Sequence, residues 1–295
     1  MSFEDEVIMS DRDSSTGLKP TRRQVLATAA VAGGGSLLAA FGPWGLTAAA
    51  AKEPEPEFDA PLVRLAAGAN PASIQATVDL FRADLGTLNP NVSGSFRSGR
   101  REINWDGVPD AKSAPNLLPP DFFNTTSPRG VVLATPGQGF QVSAKAGNPT
   151  TTAVLFGNLS SAYPSLFTTF SPPRLFTALG SPVTDVRFFV PGTDTPALVN
   201  GFGAVFTDVV LSGSATITCF GVEQRSLGTF VVPATSADGL SFLGVVFEGR
   251  RVARVRILSG TTALSAAATN SGSTNVVAMD DFVYGEPQAL ARSRP

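Results

Sequence analysis

The sequence predicts an all-β protein: an antiparallel β-sandwich of jelly-roll type, with one helix near its start after a cleaved signal. Three observations predict it. From about residue 94 onward, short runs of Val, Phe, Ile and Thr are separated by Gly, Pro, Asn and Ser, the spacing of many strands joined by turns. At 253–257 the pattern alternates: Ala253, Val255 and Ile257 fall on one face and Arg254 and Arg256 on the other, as in a half-buried antiparallel strand. The aromatic residues are 21 Phe against 2 Trp and 2 Tyr. Phe carries no polar handle and suits the dry space between two sheets.

Taken in chain order, the first segment is not part of this fold. Residues 21–27 read TRRQVLA and lead into a Gly/Ala-rich, mildly apolar run from Val25 to Phe41. This resembles a twin-arginine (Tat) export signal. Thr21, Arg22, Arg23 and Leu26 match that pattern, while Val25 and Ala27 depart from it. Ala48, Ala49, Ala50 and Ala51 offer small-residue cleavage sites, so residues 1–51 read as the signal. The resemblance implies a Tat translocase partner during export and a periplasmic or extracellular location. A membrane span suits the run poorly, because it is short and broken by glycines and by Pro43. No second apolar span follows, so the mature form is expected to lack a membrane anchor.

Residues 52–69 begin KEPEPEFDAPL and read as an exposed leader. A helix is expected over 71–85: Asn70 can cap it, Pro71 suits its first turn, and Ile74, Val78, Phe81 and Leu85 recur at helical spacing before Gly86. Strands are expected near 100–105, 130–134, 139–144, 153–156, 174–178, 184–190, 203–211, 214–220, 227–232, 240–247, 252–258 and 276–284. The proline-rich stretch 106–129 reads as an ordered surface excursion. The sandwich domain spans 70–285, and 286–295 reads as a flexible tail.

Composition removes whole classes of chemistry. The chain has no histidine, so Ser-His-Asp and Cys-His catalysis and histidine-ligated metals are excluded. Its one cysteine, Cys219, can form no intrachain disulfide and reads as a buried thiol. A formal charge of −2 shows no basic excess of the kind that grips nucleic acid.

Three groups of residues remain as candidates. In VVAMDDFVYGEP (276–287), Asp280 and Asp281 are adjacent within a strand-like run, so strict alternation sends them to opposite faces. Asp280 shares a face with Ala278, Phe282 and Tyr284 and is expected to be the inward carboxylate. Its partner would be a structural calcium held with Asp281 and Asp208, or an arginine such as Arg187 or Arg254. The second group is Trp105, Asp106 and Asp110. A Trp beside two carboxylates can form a sugar-stacking platform, and Asp-Gly-Val-Pro is equally strong turn chemistry. A glycoside hydrolase would need two carboxylates across one groove, with Glu102, Asp106, Asp110, Asp121 and Glu248 to choose from. The third is Arg250, Arg251, Arg254 and Arg256, either a grip for an anionic polymer or the solvated face of an edge strand.

Residues 201–285, with GFGAVFTDV, LSFLGVVFEGRRVARVRI and the closing MDDFVYGEP, are similar to bacterial exported β-sandwich proteins, including extracellular domains of PEP-CTERM-type surface proteins. That resemblance implies a sandwich fold. It does not imply surface sorting, because QALARSRP follows in place of an apolar span and basic tail. The expected function is a non-catalytic binding or structural module, with extracellular polysaccharide as the candidate partner and either no cofactor or calcium. The alternative is a carboxylate-dependent polysaccharide hydrolase.

Overall fold

The structure, a computed structural model, describes residues 60–249 and 251–290. The signal with Arg22 and Arg23, the first part of the leader, Arg250 and the last five residues lie outside the described residues.

The first elements are β1 (Leu62–Gly68), α1 (Pro71–Leu85) and β2 (Arg100–Ile103). A short helix α2 (Phe122–Thr125) precedes β3 (Val131–Ala134), β4 (Gly139–Val142), β5 (Phe176–Leu179) and β6 (Val183–Phe188). Then come β7 (Ala197–Leu198), β8 (Gly201–Thr207), β9 (Ala215–Phe220), β10 (Ser226–Val231) and β11 (Leu240–Val246). The described chain closes with β12 (Arg254–Ser259), β13 (Ala278–Gly285) and β14 (Gln288–Ala289).

Two antiparallel sheets make the sandwich. One runs β1-β11-β8-β13-β5-β4, with β2 also on β13; the other runs β10-β9-β12-β6-β3. From β5 to β13 the chain passes back and forth between the sheets. The orders β5-β13-β8-β11 and β6-β12-β9-β10 that result are those of a jelly roll. The core between the sheets is rich in Phe, as composition predicts: Phe140, Phe176, Phe202, Phe206 and Phe282 from one sheet meet Phe188, Ile217, Val255 and Ile257 from the other. Cys219 lies in this core, and burial pushes its thiol up to about 12, which leaves it inert.

Helix α1 covers the outer face of the first sheet. Asn70 Oδ1 accepts the Ser73 N–H at 3.2 Å and caps the start. Gly86, at φ 96°, ends the helix by donating its N–H to the carbonyls of Arg82 and Ala83. Ile74, Val78, Phe81 and Leu85 form the buried stripe, packed on Val205, Phe242 and Val283. Phe81 seats over two glycines paired across neighbouring strands, Gly203 and Gly244. A methyl group at Gly244 would lie 2.5 Å from the Phe81 ring, so the glycines give α1 its close approach to the sheet.

Four expectations are corrected. Leu62–Gly68 is an edge strand paired along its length with β11, not leader; its alternation was hidden behind the charged, proline-rich stretch before it. Glu286 is buried and ion-paired to Arg101, and Gln288–Ala289 pair with β7, so the start of the tail belongs to the fold. Residues 153–156 form no strand: Val154 makes one isolated bridge to Ala144, and Leu155 and Phe156 turn at positive φ, their side chains filling a separate loop core with Tyr163 and Leu264. Finally, β12 is a central strand. Arg254 and Arg256 both clamp Asp185 of neighbouring β6, at 2.7 and 2.9 Å, so their charge is spent within the sheet.

Candidate functional site

The two aspartates of β13 both face outward from the inter-sheet core. Met279 pairs with Phe206 and Phe282 pairs with Ala204, so Asp280 and Asp281 together stand opposite Val205 alone. This is a β-bulge. Met279, Phe282 and Tyr284 stay in the core between the sheets, while Asp280 and Asp281 both turn toward the face beneath α1. The expectation of one inward carboxylate, Asp280 beside Phe282 and Tyr284, is therefore corrected. The extra residue of the bulge resets the pleat.

Both carboxyls are buried, and their partners among the described residues are hydrogen-bond donors. Asp280 Oδ2 accepts the main-chain N–H groups of Phe170 and Ser171 at 2.7 and 3.2 Å. Ser171 Oγ donates to Asp281 Oδ1 at 2.6 Å, and Arg82 Nη2 of α1 reaches Asp281 Oδ2 at 3.4 Å. The partner of Asp280 is thus a set of N–H and hydroxyl donors rather than an arginine, and the arginine beside the pair is Arg82, on Asp281, not Arg187 or Arg254. Burial raises both carboxyls above the usual range, and the mutual charge raises Asp280 further. Asp106 joins them around Ser171: burial pushes it up to about 6, and the charge of Asp281 adds to this.

Asp208 sits apart from this pair. Its carboxylate accepts from Asn270 Nδ2 at 2.6 Å and from the Asp238 N–H at 3.1 Å, beyond the end of the β8–β13 ladder. The grouping of Asp208, Asp280 and Asp281 as one set of metal ligands is not formed. Among the described residues no cluster of three or more Cys, Asp or Glu is arranged to hold a metal ion.

Trp105 is also placed differently from a sugar platform. It is 1% exposed, stacked on Phe176 at 4.0 Å, and its Nε1 donates to the main-chain carbonyl of Asp280 at 2.9 Å. Asp106 and Asp110 serve Arg174: Asp106 Oδ1 accepts its main-chain N–H at 3.1 Å, and Asp110 Oδ1 accepts from Nη2 at 2.5 Å. The Asp-Gly-Val-Pro turn forms, closed by the Val108 N–H donating to the Trp105 carbonyl.

Beside the bulge a cleft of about 490 Å3 opens between α1, the segment 88–91, the end of β2 and the loop 170–172. Its polar lining is Gln75, Arg82, Asn89, Asn91, Glu102, Asn104, Arg129, Ser171 and Asp281. Much of this wall is held rigid. Arg82 Nε and Nη2 donate to Glu102 at 3.1 and 3.0 Å, and Arg100 Nε donates to the same carboxylate at 2.6 Å. Asn89 is tied to Glu286 and to the Ser98 carbonyl. Asn91 and Asn104 are exposed, and neither side chain bonds to another described residue. Of these residues only Glu102, Asp281 and, within the helix, the neighbours of Arg82 carried a signal in the sequence. Asn91, Asn104, Arg129 and Ser171 lie in loops whose convergence depends on the topology.

No protein-family model and no curated protein matches the chain. Among solved structures it is similar to a glycoside hydrolase family 43 arabinoxylan arabinofuranohydrolase from Bacillus subtilis, crystallised with cellotetraose. The identity is 14% and the TM-score 0.25, over 40% of this chain and 23% of that one. A likeness at that level carries no argument about this protein.

Proposed function

We propose that the protein is an exported, non-catalytic β-sandwich that binds a polyhydroxylated ligand, a glycan, in the cleft beside the β13 bulge. The observation that carries this is the cleft's lining. Amide, carboxylate and guanidinium groups converge there, several of them locked in place by ion pairs. Planar polar groups of this kind exchange paired hydrogen bonds with neighbouring hydroxyls, and a pre-ordered wall lowers the entropic cost of binding. Export rests on Arg22–Arg23 and the run that follows them.

One observation favours a second reading, polysaccharide hydrolysis. Glu102 and Asp281 line the same cleft and meet on one nitrogen, Arg82 Nη2, at 3.0 and 3.4 Å. Two oxygens held that close to one nitrogen can match the roughly 5–5.5 Å carboxyl separation of retaining glycosidases but fall short of the roughly 6.5–9.5 Å of inverting ones. Against it, the guanidinium of Arg82 fills the space between them, where a scissile bond would have to lie. The test is a polysaccharide panel with two readouts, retention of the protein on immobilised glycan and release of reducing ends. Retention without release supports the binding reading. Release that is lost in both Glu102→Gln and Asp281→Asn establishes the hydrolase, and neither readout above background removes both.

A further inference from the structure

Among the described residues, Arg129 has no counter-charge in the wall of this cleft. It lines both the 490 Å3 cleft and an adjoining cavity of about 300 Å3, and Asn104 is the other residue common to the two. The backbone fixes its position: its N–H donates to the Phe123 carbonyl at 2.9 Å, and its own carbonyl accepts the Tyr284 hydroxyl at 3.0 Å. The guanidinium lies 5.2 Å from the centre of the Phe123 ring, which orients its plane.

Its neighbours among the arginines are neutralised. Arg82 and Arg100 share Glu102, Arg82 also reaches Asp281, and Arg101 holds Glu286 through two short contacts. Among the described residues no carboxylate lies within ion-pair distance of Arg129. Its Nη1 donates to Ser127 Oγ, and its Nε is buried with no hydrogen-bond partner among the described residues. Leaving a buried donor of a charged group unpaired is costly. Burial lowers the proton affinity of Arg129, Tyr284 opposes this in part, and the charge of Arg101 adds to the lowering.

We propose that Arg129 reads an anionic substituent on the bound glycan, a carboxylate or a sulfate, with Asn104 and Ser127 beside it. A guanidinium presents parallel N–H donors that match either group bidentately. Arg82, held by its own carboxylates, then faces the neutral hydroxyls of the sugar, and Arg129 sets the preference for acidic over neutral chains. This inference rests on the glycan-binding reading and names the class of glycan.

The experiment is calorimetric titration of the full chain with four probes in two pairs: an oligogalacturonate and its methyl ester, and a sulfated galactan oligosaccharide and its desulfated counterpart. The expected result is at least about tenfold tighter binding of one charged form than of its neutral counterpart, the scale of one charge-assisted bidentate contact. Which pair shows the difference identifies carboxylate or sulfate. Arg129→Gln is expected to bring that ratio to about one. Arg129→Lys, which keeps the charge and loses the fork, is expected to give an intermediate ratio and serves where the Gln variant does not fold. Equal binding of charged and neutral forms overturns this inference and leaves glycan binding standing. No binding of any probe overturns this inference, and retention on the polysaccharide panel then decides the glycan-binding reading by itself.

Discussion

Trp105 donates a 2.9 Å hydrogen bond from its indole Nε1 to the main-chain carbonyl of Asp280. The bond joins the two segments that stand out most in the sequence, and it shows what each contributes. The bulge leaves the carbonyl of Asp280 free of a ladder partner on one side, and the indole supplies the missing donor inside the core. Trp105 is thus a fastening for the bulge, and the bulge presents Asp281 to the cleft. Trp105→Phe keeps one aromatic ring in the core and removes the donor together with the volume of the second ring. It is expected to lower stability by about 1–3 kcal/mol, the cost of a buried unpaired carbonyl, as read from chemical denaturation. A variant as stable as the wild type would show that water or a main-chain donor replaces the indole.

The carboxyl of Asp280 is an acceptor for two buried N–H groups, from Phe170 and Ser171. Asp280→Asn keeps an acceptor oxygen and carries no charge, so at pH 7 it is expected to match or exceed the wild type in stability. Asp280→Ala leaves both N–H groups unsatisfied and is expected to cost about 2 kcal/mol or more. Equal stabilities for the two variants would contradict this role.

The same cluster sets a pH dependence. Asp106, Asp280 and Asp281 all have folded-state values raised above their unfolded ones. Stability from such groups is fully present below the unfolded value, near 4, and is lost as pH rises through the folded values, with the Asp106 step near 6. Asp185 is lowered by its arginines and acts in the opposite sense, but only as pH falls below about 4. The melting temperature is therefore expected to fall from pH 5 to pH 7, and to fall less in Asp280→Asn. A melting temperature that rises over that interval would contradict the assignment.

Helix α1 carries Arg82 and Gln75 to the cleft, and its seat is the Gly203–Gly244 pair. Gly244→Ala places a methyl 2.5 Å from the Phe81 ring, so either the ring or the helix must shift. Overpacking of this kind is expected to cost about 1–3 kcal/mol and to weaken ligand binding with it, as read by thermal melts and titration. Unchanged stability would mean that α1 is held elsewhere.

Much of the sandwich was legible because strands such as β9 bury alternate residues, and those buried on both faces, such as β8 and β13, are mostly apolar runs bounded by turn residues. Alternation at 253–257, the Phe-rich runs and the turn residues placed most strand positions within a few residues of those observed. The bulge was not legible. A two-residue period predicts opposite faces for Asp280 and Asp281, and nothing in MDDF marks the extra residue that sends both the same way. The arginines of β12 misled for a related reason. An exposed row and a row paired to Asp185 across the sheet have the same sequence pattern. The cleft lies between segments far apart in the chain: Arg82 and Asp281 are separated by 199 positions, so no local motif could announce their meeting. The absence of histidine did carry through, since it limits the site to carboxylates, amides, hydroxyls and arginines.

The central claim is that the cleft beside the bulge is where ligand binds, and side-chain amide NMR tests it most directly. The NH2 signals of Gln75, Asn91 and Asn104 are assigned by single substitutions and followed while an oligosaccharide retained by the protein is titrated in. The account predicts saturable shifts of these three signals with one common affinity, while the Asn270 and Asn275 signals beside Asp208 stay still. Binding that moves the Asn270 and Asn275 signals and leaves Asn91 and Asn104 unchanged would contradict it.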